Sequence, residues 1–572
     1  MARLMLTMRR LASFPALVLA LGVLAHALPA AAEILPAGRR TTWNPGIPGG
    51  IPVRNTVCAT VKASTYGYGT LNASAGIQAA IDACPEGQVV RLSAGDFLLN
   101  GAQPVRIGKG VVLRGAGANL TKLKTTIPGD IPLIVVGERW RGSPVASVNL
   151  TANAAKGATS VQVSSAAGFT VGHLVLVDKL TDGSFVYGGS HCALGEDCRL
   201  WFTRPNRPVG QMLEIAAING NTVSFTTPLH IAFDTAHTAQ LSRFAVPYGA
   251  KYAGIEDLYV RGGLDDNILV RFAMYSWVKN VESDWSNGDS IALDSSFRCV
   301  VRDSYFHDTP EPYPGGAGYL LSVGEYTADS LIENNIFMNA NKVMVMRASG
   351  GGNVIAYNYF DNGYIGYNLE WVETGMNASH MAEPHFELFE GNQAFNIDGD
   401  DTWGGAVYIT FFRNHATGNR RDYPDVSSRR AIGLMYGHYY YSFVGNVLGT
   451  SDQDPFPYRA FAYEDYYPWG DDPIGLWRLG YTPENWNALP DPLVVSSTHR
   501  HGNFDYATNS VVWRPSYDQT LPKSLYRRSK PGFFGTNPWP WVDPNGASKL
   551  HKGRAAFEGR ALSRLLPRGR CA

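Results

Sequence analysis

The chain has 572 residues, and its 49 Lys and Arg are balanced by 49 Asp and Glu, so the formal net charge is zero. That balance lacks the basic excess with which proteins bind nucleic acids or anionic membranes. A composition that is 45% hydrophobic and 12% aromatic is sufficient for a packed core, which excludes global disorder.

The first 32 residues are typical of a secretory signal peptide. Arg9 and Arg10 precede an apolar stretch at 11–28, and Ala30, Ala31 and Ala32 offer a small-residue cleavage site. An uncleaved anchor is the alternative. Nothing later in the chain supplies the roughly 20 consecutive apolar residues of a second span. We therefore expect a mature protein that is secreted or periplasmic and has no contact with the membrane after signal cleavage.

Six cysteines suit an oxidising compartment. Cys58 and Cys84 bracket a predicted helix, and Cys192 and Cys198 bracket a short loop, so each pair is a candidate disulfide. Cys299 lies in an apolar run and is expected to be a buried thiol. The chain has no Cys-x-x-Cys pair, so a structural zinc site is not expected.

A Pro- and Gly-rich lead at 44–52 is followed by one predicted helix at 76–84, where apolar residues recur at helical spacing. Short runs of β type come next, and Gly-containing turns rather than helices separate them. They lie at 89–92, 97–99, 105–107 and 111–113. This order favours an all-β body over alternating strands and helices.

Three stretches in this region carry a resemblance to a known family. They are AAIDA at 79–83, GQVVRLSAGDF at 87–97 and GVVLRGAG at 110–117. Together they resemble the N-terminal cap and first coils of the pectate-lyase/polygalacturonase superfamily. The resemblance implies a right-handed parallel β-helix, and it implies that the protein acts on a polysaccharide.

The middle of the chain repeats, as a solenoid requires. Similar short motifs place matching residues at 257, 280, 303, 334 and 357, and a second series places Asn at 358, 392, 414 and 446. A coil of about 22 to 24 residues, expanded on some turns, accounts for every interval. Asn at such a turn tolerates a left-handed backbone and can stack in a ladder, so we interpret this series as structural.

The coil pattern divides the chain into parts. After the signal peptide at 1–32 come an N-terminal cap with the first coils at 33–145, an inserted small β-barrel or sandwich at 146–245, further coils at 246–450, and an aromatic- and Pro-rich C-terminal cap at 451–572. The insertion is inferred from alternating apolar residues, and the cap from the end of the periodicity and the need to cover terminal coils.

One candidate site is predicted by counting along neighbouring coils. Each coil repeats an apolar residue just before its turn, and the count runs back from that residue. Asp294 lies six residues before Val300, Glu325 six before Leu331, and Arg347 seven before Val354. A one-residue bulge at Gly350–Gly352 would bring Arg347 into the same column. Stacked carboxylates repel and separate their pKa values, and an Arg keeps one of them ionised, so the column predicts a catalytic acid/base stripe. A solvated charge ladder is the alternative.

A second candidate region runs from 370 to 405, which combines eight acids and two histidines. His385 and Asp401 are its candidate catalytic residues. Its candidate substrate-binding residues, together with one residue of the next coil, are Trp371, Glu390, Asp400, Trp403 and His438. The tryptophans could stack on sugar rings or pack against a neighbouring loop. Asp400 and Asp401 have two further interpretations, a turn and a calcium site, and His438 could be an ordinary surface histidine.

The sequence departs from the polygalacturonase signature. Asp400–Asp401 and Gly437–His438 are present, but Tyr439 stands where a second Gly is expected, and no Arg-Ile-Lys occurs. A pectin substrate is therefore not implied.

We expect an exported glycan-cleaving enzyme that acts on a polysaccharide as a monomer and binds no nucleic acid. A glycoside hydrolase is preferred because carboxylates outnumber basic side chains near the candidate site. A polysaccharide lyase is the first alternative, with Arg347 or His385 as the base. A non-catalytic glycan-binding or adhesin-type solenoid is the second. No cofactor is required by these interpretations, and calcium is possible.

Overall fold

A computed structural model describes residues 34–126, 131–181, 183, 204, 206–263, 265–313, 318–366, 374–422, 430–450, 475–481 and 490–545, and the backbone alone of 368–372 and 462–464. The signal-peptide prediction and the Cys192–Cys198 prediction fall outside the described residues.

The chain folds as a right-handed parallel β-helix, the fold that the resemblance implied. Each coil adds one strand to each of three parallel ladders, and strands of successive coils pair in register. The first ladder contains Val57–Val61, Val89–Leu92, Val112–Arg114, Gly254–Arg261, Trp277–Asp284, Val300–Arg302, Leu331–Glu333, Val354–Ala356, Leu388–Glu390, Thr410–Phe412, Ser442–Val444 and His499–His501.

The second ladder takes the ends of the two long strands Gly254–Arg261 and Trp277–Asp284. Its other strands are Gly95–Leu98, Thr121–Lys124, Tyr305–His307, Ile336–Ala340, Tyr359–Ile365, Gln393–Ala394, His415–Ala416, Val447–Leu448 and Asn503–Asp505. Two strands pair with it antiparallel, Asn368–Val372 and Ser510–Val512.

The third ladder contains the strand on which the sequence placed Asp294. Its strands are Val105–Ile107, Ile134–Gly137, Ile268–Arg271, Asp289–Asp294, Tyr319–Gly324, Met344–Arg347, Met376–Met381, Ile397–Gly399, Arg430–Met435, Gly475–Tyr481 and Ala462–Glu464.

Residues alternate between the interior and the outer face along each strand. The inward residues stack coil upon coil into one apolar core that runs the length of the solenoid. Phe306, Phe337 and Phe360 illustrate this stacking, with successive ring centroids 5.1 Å apart. The outer faces are therefore the surfaces available for polar chemistry.

The repeated turn is structural, as the sequence predicted. The residues at 257, 280, 303, 334 and 357 all have a left-handed backbone. One position after the left-handed residue of this turn, successive coils carry a buried asparagine ladder. From Asn358 onward, each Oδ1 accepts from the backbone N–H and the side-chain amide of the asparagine on the preceding coil. The members of the ladder are Asn335, Asn358, Asn392, Asn414, Asn446 and Asn503.

The first coil is capped by the α-helix Ser74–Ala83, which buries Ile77 and Ile81. A disulfide joins Cys58 to Cys84 across this cap, as predicted. Cys299 is a buried free thiol, also as predicted. A second short helix, Pro492–Ser497, lies near the last coils, and single 3-10 turns occur at Ala37–Arg39, Ala63–Tyr66 and Gly532–Phe534.

The insertion is a closed antiparallel β-barrel. Its strands are Ala146–Asn149, Ser160–Gln162, Leu174–Lys179, Val209–Asn219, Thr222–Phe225 and Gln240–Arg243. A bridge between Leu150 and Val163 joins the two edge strands and closes the barrel. The chain then returns to the solenoid at Ala250–Lys251, which pairs in parallel with Ala273–Met274 of the next coil.

Both ends of the described chain cover the outer face of the first ladder. In the N-terminal segment, Trp43 donates its indole N–H to Phe386 O at 3.0 Å, and Gly46 O accepts from Arg298. In the C-terminal segment, Trp541 donates to Gly391 O at 2.7 Å. The first ladder is therefore covered by the chain itself.

Of the helices in the described part of the chain, none has the length and apolar character of a membrane span.

Candidate active site on the third ladder

The outer face of the third ladder carries a column of charged residues. Strand register pairs Arg271 with Asp294, Asp294 with Gly324, and Gly324 with Arg347. The sequence placed Asp294 and Arg347 in one column, and their strands confirm that alignment. The same register shows that Glu325 does not belong to it, so that part of the expectation was wrong.

The error at Glu325 comes from the length of a turn. Gly324 and Arg347 both lie seven residues before the first residue of the next first-ladder strand, whereas Asp294 lies six before. The turn after Gly324 is therefore already one residue longer than the turn after Asp294, whereas the sequence count placed the extra residue after Arg347. Glu325 begins the turn with a left-handed backbone, and its carboxylate lies 3.2 Å from Arg141 Nη2.

Gly324 leaves the space into which the Asp294 carboxylate projects. A β-carbon at position 324 would lie 2.5 Å from Asp294 Oδ1 and 3.7 Å from Arg347 Cβ. Because glycine has no side chain there, Asp294 and Arg347 influence one another across the intervening coil. Asp294 also accepts from Arg271 Nη2 at 2.6 Å.

Asp289, at the start of the strand that ends in Asp294, completes the polar cluster. Arg347 Nη2 donates to Asp289 Oδ2 at 2.9 Å and to Ser322 Oγ at 2.7 Å. Ser322 also donates to the Asp289 carboxylate. One coil earlier, Asp266 Oδ1 accepts from the backbone N–H of Asp289 at 3.0 Å. Three carboxylates therefore gather around one guanidinium, and each is at least nine-tenths buried.

The pKa values of these carboxyls are driven apart. Burial raises the pKa of Asp289 above its ordinary value, and Arg347 only partly offsets that effect. Burial and the neighbouring Asp289 raise the pKa of Asp266 further. Asp294 behaves oppositely, because the attraction of Arg271 and Arg347 outweighs burial and lowers its pKa. The cluster therefore combines a carboxyl that retains its proton with a carboxylate that stays ionised.

Arg347 is held in its charged form. Burial lowers the pKa of a guanidinium, but Asp289 and Asp294 together raise the pKa of Arg347 above its ordinary value. In its charged form Arg347 can position and stabilise the neighbouring carboxylates.

The second sequence-predicted region meets this cluster through Tyr319, which pairs in register with Asp289. The Tyr319 hydroxyl lies 3.1 Å from His380 Nε2, and His380 Nδ1 lies 2.8 Å from Asp400 Oδ2. Asn377 also donates to Asp400 at 2.5 Å. Although burial opposes ionisation, the His380 ring holds the pKa of Asp400 well below its ordinary range. Asp400 therefore anchors a buried Tyr–His–Asp chain.

Asp401 is 1% exposed, so it does not project into solvent from the loop. Its neighbour Asp400 has both oxygens engaged by His380, Asn377 and the Thr402 backbone N–H. Within the described ranges, no group of three or more His, Cys, Asp or Glu side chains is arranged to hold a metal ion. The hydrogen bonds to Asp400 match those of a buried turn.

His385 and His438 are completely buried. Burial lowers the pKa of each to about 4. His385 Nδ1 lies 3.0 Å from Glu383 O, and His438 Nδ1 lies 3.0 Å from Tyr436 O, so each ring is held by backbone carbonyls. The described structure does not place either ring in contact with Asp289 or Asp294.

Glu390 faces a different part of the molecule. It lies on the first ladder, accepts from Tyr357 Oη at 2.9 Å and from Leu525 N at 2.8 Å, and is sealed by the C-terminal segment. Trp403 is partly buried against an apolar cluster, which agrees with the packing interpretation. Trp371 lies in the strand Asn368–Val372, and its side chain is outside what the structure describes.

Five residues of this arrangement were not among the predicted site residues, although the last lies in the predicted region 370–405: Asp266, Asp289, Arg271, Tyr319 and His380. A usable signal was present for three of them. Asp266 and Asp289 are separated by 23 residues, and so are Arg271 and Asp294. That interval is the length of one unexpanded coil, so it stacks each pair in register. Tyr319 and His380 are 61 residues apart, and no repeat interval connects them.

Fold and site together define a parallel β-helix protein with an ionisable cluster on its third ladder. No protein-family model and no curated protein sequence matches the chain. Among solved structures, it is similar to the tailspike of Pseudomonas phage phi297, at 12% identity and a TM-score of 0.49 over 68% of this chain and 65% of that one. It is also similar to the tailspike of Pseudomonas phage LKA1, at 16% identity and a TM-score of 0.44 over 69% of this chain and 60% of that one.

Pectate lyase Pel9A is also similar, at 10% identity and a TM-score of 0.40, over 85% of this chain and 91% of that one. For the two tailspikes, in contrast, the matched region spans less than two thirds of their length.

Proposed function

We propose that this chain is an exported glycoside hydrolase that cleaves a polysaccharide on the outer face of the third ladder. The observation that carries the proposal is the cluster itself, in which Arg347 binds Asp289 at 2.9 Å and Arg271 binds Asp294 at 2.6 Å. The opposite shifts of the two carboxyl pKa values agree with it. Glycoside hydrolysis requires two carboxyl groups of the enzyme beside the same glycosidic bond, one that donates a proton and one that is ionised.

Asp289 is the general acid. Its raised pKa keeps a proton available for the glycosidic oxygen as the bond to the sugar breaks. The carboxylate left behind is stabilised by the bonds that Arg347 and Ser322 already donate to it. Asp294, held ionised by Arg271, either activates the attacking water or attacks the sugar itself.

Two observations favour a hydrolase over a lyase. A lyase needs a base that removes the proton next to a uronic carboxylate. Of the two candidates from the sequence, Arg347 retains its proton, and the His385 ring is completely buried.

The disulfide Cys58–Cys84 favours an oxidising, secreted or periplasmic location. We further propose that the chain acts as a monomer and binds neither nucleic acid nor, once processed, a membrane.

The test is a screen of neutral and uronic polysaccharides that records both new reducing ends and near-ultraviolet absorbance. Hydrolysis yields reducing ends without the absorbance of an unsaturated uronate. Asp289→Asn and Asp294→Asn should each lower kcat by at least about 100-fold, the usual share of a general acid or base. Glu256→Gln is the matched control, because Glu256 is a buried carboxylate that pairs with Arg114 on the first ladder.

An ultraviolet-absorbing product would identify a lyase. Retained turnover in both Asn variants would overturn the catalytic assignment. Binding without any new reducing end would instead support the non-catalytic glycan-binding alternative.

A further inference from the structure

Two exposed tryptophans lie at opposite edges of the third ladder, and neither belongs to the region 370–405 in which the sequence predicted sugar-stacking residues. Trp140 follows the strand Ile134–Gly137 and is 72% exposed. Trp285 precedes the strand Asp289–Asp294 and is 46% exposed. One therefore stands beyond the carboxyl ends of the strands and the other before their amino ends.

Each indole lies next to an arginine that binds a buried aspartate. The Arg271 guanidinium carbon lies 5.8 Å from the Trp140 ring centroid, and Arg271 binds Asp294 at 2.6 Å. At the other edge, the Arg261 guanidinium carbon lies 4.8 Å from the Trp285 ring centroid, and Arg261 binds Asp284 at 2.7 Å. The same Trp–Arg–Asp arrangement thus occurs twice.

The Arg139 guanidinium carbon also lies 5.4 Å from the Trp140 ring centroid. These guanidiniums border the indoles without covering them, because 72% of Trp140 and 46% of Trp285 stay exposed. An exposed indole face bordered by charged groups can stack on a ligand that combines an apolar face with polar edges.

Both indoles connect to the acid cluster. Trp140 connects through Arg271, which contacts the indole and the Asp294 carboxylate. Trp285 connects through its neighbour Ser286, whose hydroxyl donates to Asp265 O and to Asp289 O, each at 2.9 Å. Each indole is therefore linked through one residue to the strand that carries Asp289 and Asp294.

We infer that Trp140 and Trp285 are two sugar-stacking subsites on either side of the cleavage point, each of which binds the apolar face of one pyranose ring. A pyranose offers such a C–H face together with polar edges, which suits an indole bordered by a guanidinium. The strand Asp289–Asp294 spans about 17 Å at 3.3 Å per residue, so one saccharide must be several units long to reach both subsites. This inference rests on the proposed function, because the cleavage point is taken as the acid cluster.

The test measures binding by titration calorimetry on the Asp289→Asn protein, which limits turnover during the measurement. The probes are cello-, xylo- and manno-oligosaccharides and oligogalacturonates of two to eight units. In that background, Trp140→Ala and Trp285→Ala are each expected to weaken binding of the longest bound oligosaccharide by about 3- to 10-fold, the usual range for one aromatic contact. The Phe variants should retain most of the affinity.

Short oligosaccharides should depend on only one of the two tryptophans. Tyr68→Ala is the control, because Tyr68 is 65% exposed but lies in the N-terminal cap. The inference is overturned if both Ala variants bind every oligosaccharide as the parent does, or if no member of the set binds at all.

The outcomes separate this inference from the proposed function. Loss of binding in the Trp variants, with turnover unchanged in Asp289→Asn and Asp294→Asn, would keep the subsites and reject the catalytic assignment. Turnover that depends on the two aspartates, with binding and KM unchanged in the Trp variants, would keep the catalytic assignment and reject the subsites.

Discussion

Asp294 and Gly324 pair directly in neighbouring strands of the third ladder, and a β-carbon at Gly324 would lie 2.5 Å from Asp294 Oδ1. The absence of a side chain at one position is therefore a condition for the carboxylate geometry at the next. For the same reason Asp294 and Arg347 belong to one cluster although the coil of Gly324 lies between them.

We expect Gly324→Ala to displace the Asp294 carboxylate from Arg271 and Arg347. Turnover should fall by at least about 10-fold, because a small misplacement of a reacting group is costly. Urea unfolding should show only a modest loss of stability. Gly38→Ala is the control, since a β-carbon there meets nothing within 4 Å. Unchanged turnover in Gly324→Ala would mean that the Asp294 position is not critical.

Arg347→Met should shift the whole pH profile of kcat/KM toward higher pH. Arg347 lowers the pKa of both Asp289 and Asp294, so its removal raises both. The acidic limb reports the group that must be ionised, and the alkaline limb reports the group that must be protonated, so both limbs move in the same direction. Arg302→Met, on the first ladder, should leave the profile in place. Limbs that move apart, or do not move, would contradict the assignment.

Asp400→Asn should destabilise the protein at neutral pH more than in acid. The pKa of Asp400 is lowered in the folded state. Its stabilising contribution is therefore present above its unfolded pKa, near 4, and is lost as pH falls toward the folded value. At pH 7 we expect a loss of about 1–3 kcal/mol in the free energy of unfolding, typical of removing one partner of a buried charged hydrogen bond. Denaturant titrations at pH 7 and pH 3 test this, and an equal loss at both would disprove it.

The buried carboxyl of Glu387 should make the stability of the folded protein depend on pH in the opposite direction. Burial raises its pKa to about 8, even though Ser349, Gly351 and Asn353 donate hydrogen bonds to it. The folded state therefore binds this proton more tightly than the unfolded state. Stability should be lost as pH rises from about 4.5 to about 8, by up to about 1.4 kcal/mol per pH unit.

Glu387→Gln should remove that dependence, and it should be more stable than the wild type at pH 9 but not at pH 5. Glu390→Gln provides a comparison, since burial raises the pKa of Glu390 to about 7 and its effect should appear at lower pH. Urea midpoints measured from pH 5 to pH 9 would reveal both transitions. A wild-type midpoint that does not decline across this range would contradict the buried-acid interpretation.

Two features were predictable because they depend on residues one coil apart in the chain. The interval of 23 residues predicted the coil, and the asparagines at 358, 392, 414 and 446 predicted the ladder at its turn. In each case the same side chain must recur at the same position for the coils to stack, so the repeat is visible in the residues themselves.

The candidate site was only partly predictable. Asp294 and Arg347 share a column as expected, but Glu325 was misplaced because one turn is a residue longer than the count assumed. Side chains alternate between the two faces of a strand, so an error of one residue changes the side of the molecule on which a residue lies. Glu390 shows a different difficulty, since its face is covered by a C-terminal segment more than 100 residues later in the chain.

The sequence by itself determined the solenoid, the cap helix with its disulfide, the inserted β module and the presence of Asp294 and Arg347 on one face. Only the tertiary structure decided that Asp289 rather than Glu325 contacts Arg347, that Tyr319 contacts His380 beside this cluster, and that Trp140 and Trp285 are exposed at the edges of the third ladder. The physical reason is that stacking of coils is a local and periodic requirement. Turn lengths, crossing segments and the burial that shifts a pKa depend instead on contacts between distant parts of the chain.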